Sequence, residues 1–182
     1  DGSLVSAISL QAGETVTCTF TNTLQQKESR TTTQVHNASH QNITNTSVPV
    51  GTAVHDEATV TGDGITVPTG NVNFSFYTNG QCTGNPIETE LVALSLVGVA
   101  ESTVKPSLAV GQYGYKANYL GDTLYLPSEE QSCEPFSVVD ARITIGTTDT
   151  NEVNDAHTFT VFVEKNDGSG WVPASGVTIN ST

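Results

Sequence analysis

The sequence predicts an all-β chain: one complete β-sandwich with partial β units at both ends. Three observations predict it. Thr and Val are abundant and no charged stretch has a helical period. Apolar residues recur at every second position in short runs, and those runs are separated by Gly, Pro and Asn turns. The clearest run is GQYGYKANYLGDTLY at 111–125, where Tyr113, Tyr115, Ala117 and Tyr119 fall on one side and Gln112, Gly114, Lys116 and Asn118 on the other. That is the period of a half-buried strand. Almost no helix is expected.

Taken in order, Asp1 to Thr23 holds two β-like runs joined by a turn at Ala12-Gly13-Glu14, with Val16, Cys18 and Phe20 alternating inward. Two strands alone are marginal in water, so this stretch is expected to be the end of a preceding β unit. Residues 24–33 (LQQKESRTTT) show no inward alternation and read as a linker. Residues 34–139 supply the complete sandwich, through runs at 34–48, 54–61, 70–77, 91–104, the Tyr113 strand and 133–139. Residues 140–182 open another unit, in which Phe159, Val161 and Val163 alternate before the turn at Asn166-Asp167-Gly168. They would lie bare without a second sheet. The chain therefore reads as a soluble piece of a larger precursor, with a flexible junction at 24–33 and a stiff one at 139–141. The two ends are expected to be completed by neighbouring repeats, or by copies of the chain packing head to tail, Val16, Cys18 and Phe20 against Phe159, Val161 and Val163.

The Tyr113 strand comes late in the series, follows a Gly turn and leads into a last strand, which is the place of strand F in an immunoglobulin-like sandwich. Tyr113 is then the candidate tyrosine corner, and Tyr115 stands where antibody domains carry a Cys. VHDEATVTG (54–62), PTGNVNFSFYTNGQCTG (68–84) and GQYGYKANYLGDTLYLPSEEQSCEPFSV (111–138) resemble the bacterial Ig-like repeats (group 3 type) of large cell-surface and adhesin proteins. The resemblance spans 30–139. It implies a disulfide between Cys82 and Cys133, although the sequence by itself permits other pairings of the three Cys. GETVTCTFTNT resembles the last strand of prealbumin-like domains of Gram-positive pilins and adhesins, which makes Asn22 a conceivable crosslink position. ARITIGTTDTNEVNDAHTFTVFVEKNDGSGWVPASGVTINST resembles the first strands of another bacterial Ig-like domain.

A formal charge of −13, from six Lys and Arg against 19 Asp and Glu, repels a phosphate backbone and offers no polybasic lipid anchor, so neither nucleic acid nor membrane insertion is expected. An acidic, Thr-rich β chain with no CxxC pair fits an extracellular or cell-surface place. His36, His40, His55 and His157 have no nucleophile at a telling spacing and no catalytic motif occurs, so an enzyme is not expected. Asp56 shares a strand face with Val54, Ala58 and Val60 and reads as a buried acid satisfied by backbone amides or a Tyr hydroxyl. Asp149, Glu152, Asn154 and Asp155, together with Asp140, are weak candidates for calcium, although their spacing fits no EF-hand loop. No other cofactor is expected. N-x-[ST] sequons at Asn37, Asn42, Asn45, Asn73 and Asn180 matter only in a glycosylating host. The expected function is structural, a repeat of an adhesin stalk or filament. The alternative is a carbohydrate- or protein-binding module presenting a host or surface ligand on its loops.

Overall fold

The computed structural model describes residues 11–15, 17, 19–146, 153 and 159–178. Among them the chain forms β1 (Arg30–Asn37), β2 (Ser47–Pro49), β3 (Val54–Thr61), β4 (Asn71–Tyr77), β5 (Glu88–Ala93), β6 (Val99–Glu101), β7 (Gly111–Tyr119), β8 (Glu134–Ile145), β9 (Val161–Asn166) and β10 (Trp171–Pro173), and no helix. One sheet has the order β1-β3-β6. The other runs β10-β9-β8-β7-β4-β5, with β2 pairing β8 in parallel. The two sheets face each other as an immunoglobulin-like sandwich, as the alternation in the sequence leads one to expect.

Between the sheets lie two apolar layers. Val35, Val48, Val54, Phe76, Tyr113, Tyr115, Phe136 and Val138 form one, and Ala58, Val60, Val72, Phe74, Ala100, Ala117, Tyr119 and Tyr125 the other. The inward side of β7 is buried from Tyr113 through Tyr119. Burying an aromatic or aliphatic side chain of this size contributes roughly 1.5–3 kcal/mol, so these positions dominate the stability of the sandwich.

Three expectations give way to the structure. Residues 34–48 are two strands in different sheets. The Asn37 side chain accepts the amides of Ser39 and Gln41, turning the chain back after β1 so that β2 can cross to β8. Residues 91–104 likewise divide into β5, paired with β4, and β6, paired with β3. The turn between them closes on Gly98, at φ 80°, where a Cβ would lie 2.6 Å from the Val60 carbonyl. Finally, β1 starts at Arg30, and Lys27 already bridges to Tyr125, with Lys27 N–H donating to Leu124 O and Leu126 N–H to Lys27 O. The anchored part of residues 24–33 is therefore not a tether, because its backbone donors and acceptors are spent on the sandwich.

Candidate functional site

The chain enters and leaves the sandwich at opposite ends. Arg30 pairs with Thr61 at one end, beside the layer containing Val60 and Tyr119, while β8 leaves past Val138, which pairs with Gly111 at the other. Charge and hydrogen bonds brace the entry. Lys27 forms a salt bridge with Asp63, whose Oδ1 accepts the amides of Ile65 and Thr66, and the Tyr125 hydroxyl lies 2.7 Å from both Asp63 Oδ1 and Thr66 O. The Lys27 ammonium, then the Tyr125 hydroxyl, hold the Asp63 carboxyl well below the usual carboxylate range. Nearby, the loop after β3 and the turn before β6 frame a groove of about 180 Å³ that exposes Ile65, Val67 and Val97.

The exit is one uninterrupted strand. Residues 134–138 of β8 pair with β7, and residues 140–145 of the same strand pair with β9, leaving no intervening loop. At the far side of this junction Arg142 donates to Glu164 at 2.7 Å and stacks 4.3 Å over Trp171. The turn at Gly168 packs against Gly111, close enough that an added Cβ would sit 3.2 Å from the Gly111 Cα. Beyond it, Ile143, Ile145 and Val161 share one face of β8 and β9 and remain exposed.

Tyr113 and the two Cys lie on either side of β7. The Tyr113 hydroxyl donates to Ala109 O at 2.9 Å, four residues back, in the geometry of a tyrosine corner. Cys82 and Cys133 form a disulfide across a sequence separation of 51 residues. It packs on Gly114, where an added Cβ would lie 2.6 Å from Cys82 Sγ and 3.0 Å from Cys133 Sγ. That contact explains a Gly in the middle of a central strand, where it otherwise weakens a sheet.

Asp56 is fully buried, but amides and Tyr hydroxyls do not satisfy its carboxyl. Its oxygens face the Glu134 carboxyl, and neither Asp56 oxygen, nor Glu134 Oε2, nor the buried Tyr115 hydroxyl has a hydrogen bond of ordinary geometry. Burial first, then the Glu134 charge, push Asp56 well up, and burial raises Glu134 too.

A second cluster lies on the outer face of the β1-β3-β6 sheet. His36 and His55 are directly opposite each other across β1 and β3, and the turn after β1 folds His40 back over them. His40 takes φ 54°, a left-handed conformation that His adopts more readily than most residues. Ring centroids are 5.1 Å apart for His40 and His55, 5.8 Å for His36 and His55, and 6.0 Å for His36 and His40. Glu57 Oε2 lies 3.8 Å from His36 Nδ1 and 4.0 Å from His40 Nδ1. His36 and His55 are buried, yet His36 Nδ1 and both nitrogens of His55 lack a hydrogen-bond partner. Burial lowers the His55 pKa, which favours the neutral ring.

Sequence reasoning treats these His only as non-catalytic strand residues. A signal was present, since His36 and His55 fall on the outward parity of their strands. The one-to-one register that makes them neighbours comes only with the sheet.

Of the other sequence candidates, Phe20 is exposed, as are Phe159 and Val161, and Val163 is half-buried on β9. Asp140 Oδ1 accepts the Ala141 amide. Val16, Cys18, Asp149, Glu152, Asn154, Asp155, His157 and Asn180 lie outside the described residues. Among the described residues no helix is long and apolar enough to cross a membrane. The family model for the bacterial Ig-like domain (group 3) matches residues 41–138. No curated protein and no solved structure matches the chain.

Proposed function

Because this chain belongs to the bacterial Ig-like domain (group 3) family, whose match covers more than half of it, we propose that it is a structural spacer in an extracellular bacterial surface protein, an adhesin stalk or filament. The observation that carries this reading is the placement of entry and exit at opposite ends of the sandwich, with β8 running without a break into the next β unit. A module threaded end to end adds its full length to a stalk. A strand shared by two units removes the slack that a loop would introduce. The disulfide suits an oxidising compartment. The exposed face of Ile143, Ile145 and Val161 is the kind of surface a further sheet covers, so neighbouring repeats are the partners of this reading.

Residual dipolar couplings of the whole chain in a weakly aligning medium test the spacer. Amides of β3, β4 and β7 and those of β9 and β10 are expected to fit one alignment frame. Separate frames of different magnitude would mean a hinge at the junction and would remove the main support for a rigid spacer. A second reading, a ligand-binding module, rests on the groove that exposes Ile65, Val67 and Val97 at the entry end. In that reading Ile65→Asp abolishes ligand capture and leaves the alignment frame unchanged.

A further inference from the structure

The histidine cluster is built in a way that neither a spacer nor a loop-borne ligand site requires. A buried imidazole ordinarily gives its ring nitrogens to hydrogen-bond partners, because an unsatisfied buried polar group costs about 1–3 kcal/mol. Here three ring nitrogens of two buried His, one on His36 and both on His55, have none. Nor is the arrangement a chance meeting of flexible side chains. The β1–β3 register fixes His36 opposite His55, and the turn that carries His40 is held by Asn37, whose side chain accepts the amides of Ser39 and Gln41. One ring nitrogen from each of His36, His40 and His55 lies within 4.8 Å of the other two.

We propose that His36, His40 and His55 bind one divalent first-row transition ion of the zinc class on the outer face of the β1-β3-β6 sheet, with Glu57 as the adjoining carboxylate. The donor set fits that chemistry. Neutral imidazole suits zinc, copper and nickel, whereas calcium and magnesium require a cage of hard oxygens. Nitrogens bound at about 2.0–2.1 Å in tetrahedral geometry sit roughly 3.4 Å apart, so the cluster closes by at most about 1.4 Å per pair. His40 supplies that movement, because it is exposed on a turn whereas the other two are fixed in strands. Glu57 approaches both His36 Nδ1 and His40 Nδ1 and is placed to complete the shell or to orient those rings. A second grouping, His40 with Glu57 and Glu101, shares its exposed member and would recruit a harder ion. The unpartnered nitrogens of His36 and His55 favour the histidine set. Bound metal would tie the turn after β1 to the sheet, a clip on the face opposite the core.

The test is a titration of the chelator-stripped full chain with zinc against a chromophoric competitor, with thermal unfolding followed in parallel. One equivalent is expected to bind at micromolar or tighter affinity and to raise the Tm. Calcium in about 100-fold excess should not compete. His40→Ala should weaken binding by about tenfold or more and His40→Cys should restore it, because a thiolate is also a zinc ligand. His55→Gln checked for native circular dichroism guards against a folding defect, and it too should weaken binding. Zinc failing to bind below millimolar concentration would overturn the assignment. So would equal affinity in His40→Ala and His55→Gln, or binding that follows Cys18→Ser or His157→Ala instead.

Discussion

Gly114→Ala adds a single methyl group to β7, and the structure says what it meets: Cys82 Sγ at 2.6 Å, Cys133 Sγ at 3.0 Å and Asn79 O at 3.2 Å. The disulfide cannot move away cheaply, because it joins two strands' flanking loops across 51 residues and lies against β7. Overpacking of this kind costs about 1–3 kcal/mol, against which replacing a strand Gly by Ala returns roughly 0.5–1 kcal/mol. In a Cys82→Ala/Cys133→Ala background the two nearest atoms, both sulfurs, are gone and Asn79 O at 3.2 Å is the one of the three nearest that remains, so the added methyl should be near neutral or mildly favourable. Removing the disulfide has its own cost. In the chain-entropy model a loop of this length gives about 14 cal/mol/K, or about 4 kcal/mol at 298 K. Urea unfolding of the four proteins of the cycle, followed by far-UV circular dichroism, separates these effects. The expected coupling energy is about 1–3 kcal/mol, with Gly114→Ala leaving the m-value unchanged within each background while loss of the disulfide raises it. An equal cost of Gly114→Ala in both backgrounds would refute the argument that the disulfide is what demands a Gly there.

Other consequences are smaller in scale. Tyr113→Phe deletes the corner hydrogen bond to Ala109 O and should cost about 0.5–1.5 kcal/mol in the same unfolding assay, leaving the fold intact. Gly98→Ala should destabilise by more than 1 kcal/mol, roughly, because it combines a φ of 80° with a 2.6 Å approach to the Val60 carbonyl. Asp122 accepts the amides of Leu124, Tyr125 and Thr69 and the Thr69 hydroxyl. Although partial burial pushes its pKa up, these donors outweigh it and bring the carboxyl down to about 2. A depressed folded-state pKa gives stability that is present above the ordinary value of 3.8 and lost as the pH falls from there toward about 2. Asp122→Asn should therefore be less stable than the parent at pH 6, with the gap closing as the pH approaches 2.

Much of the fold was legible because it depends on period and turn chemistry. The alternation of Tyr113, Tyr115, Ala117 and Tyr119 marks a core-facing strand whatever it pairs with, and the same residues form the buried side of β7. What the alternation hides is where a strand changes sheets. Residues 34–48 and 91–104 keep inward-looking residues through a turn, and only the Asn37 caps and the Gly98 close approach show that the partner has changed. Asp56 could be read as buried from its parity, but its neighbour Glu134 comes from the opposite sheet, and long-range pairing is not written in a local pattern. The histidine cluster was hidden for the same reason, since two of its members are 19 positions apart and meet only through the β1–β3 register. By contrast, Leu24–Thr33 reads as a linker because it lacks alternation, yet Lys27 and Ser29 are held through hydrogen bonds to Leu124 and Leu126. Such bonds need no apolar period.

The spacer reading is tested most directly by the reach of the polypeptide that carries this chain. A second copy of residues 26–139 inserted in tandem should lengthen its projected image in electron microscopy by about 40 Å. The nine residues of β7 at roughly 3.4 Å each, plus the loops at the two ends, set that increment. Capture of any surface ligand should be unaltered. An unchanged length, or a kinked particle with the two copies folded side by side, would contradict the account.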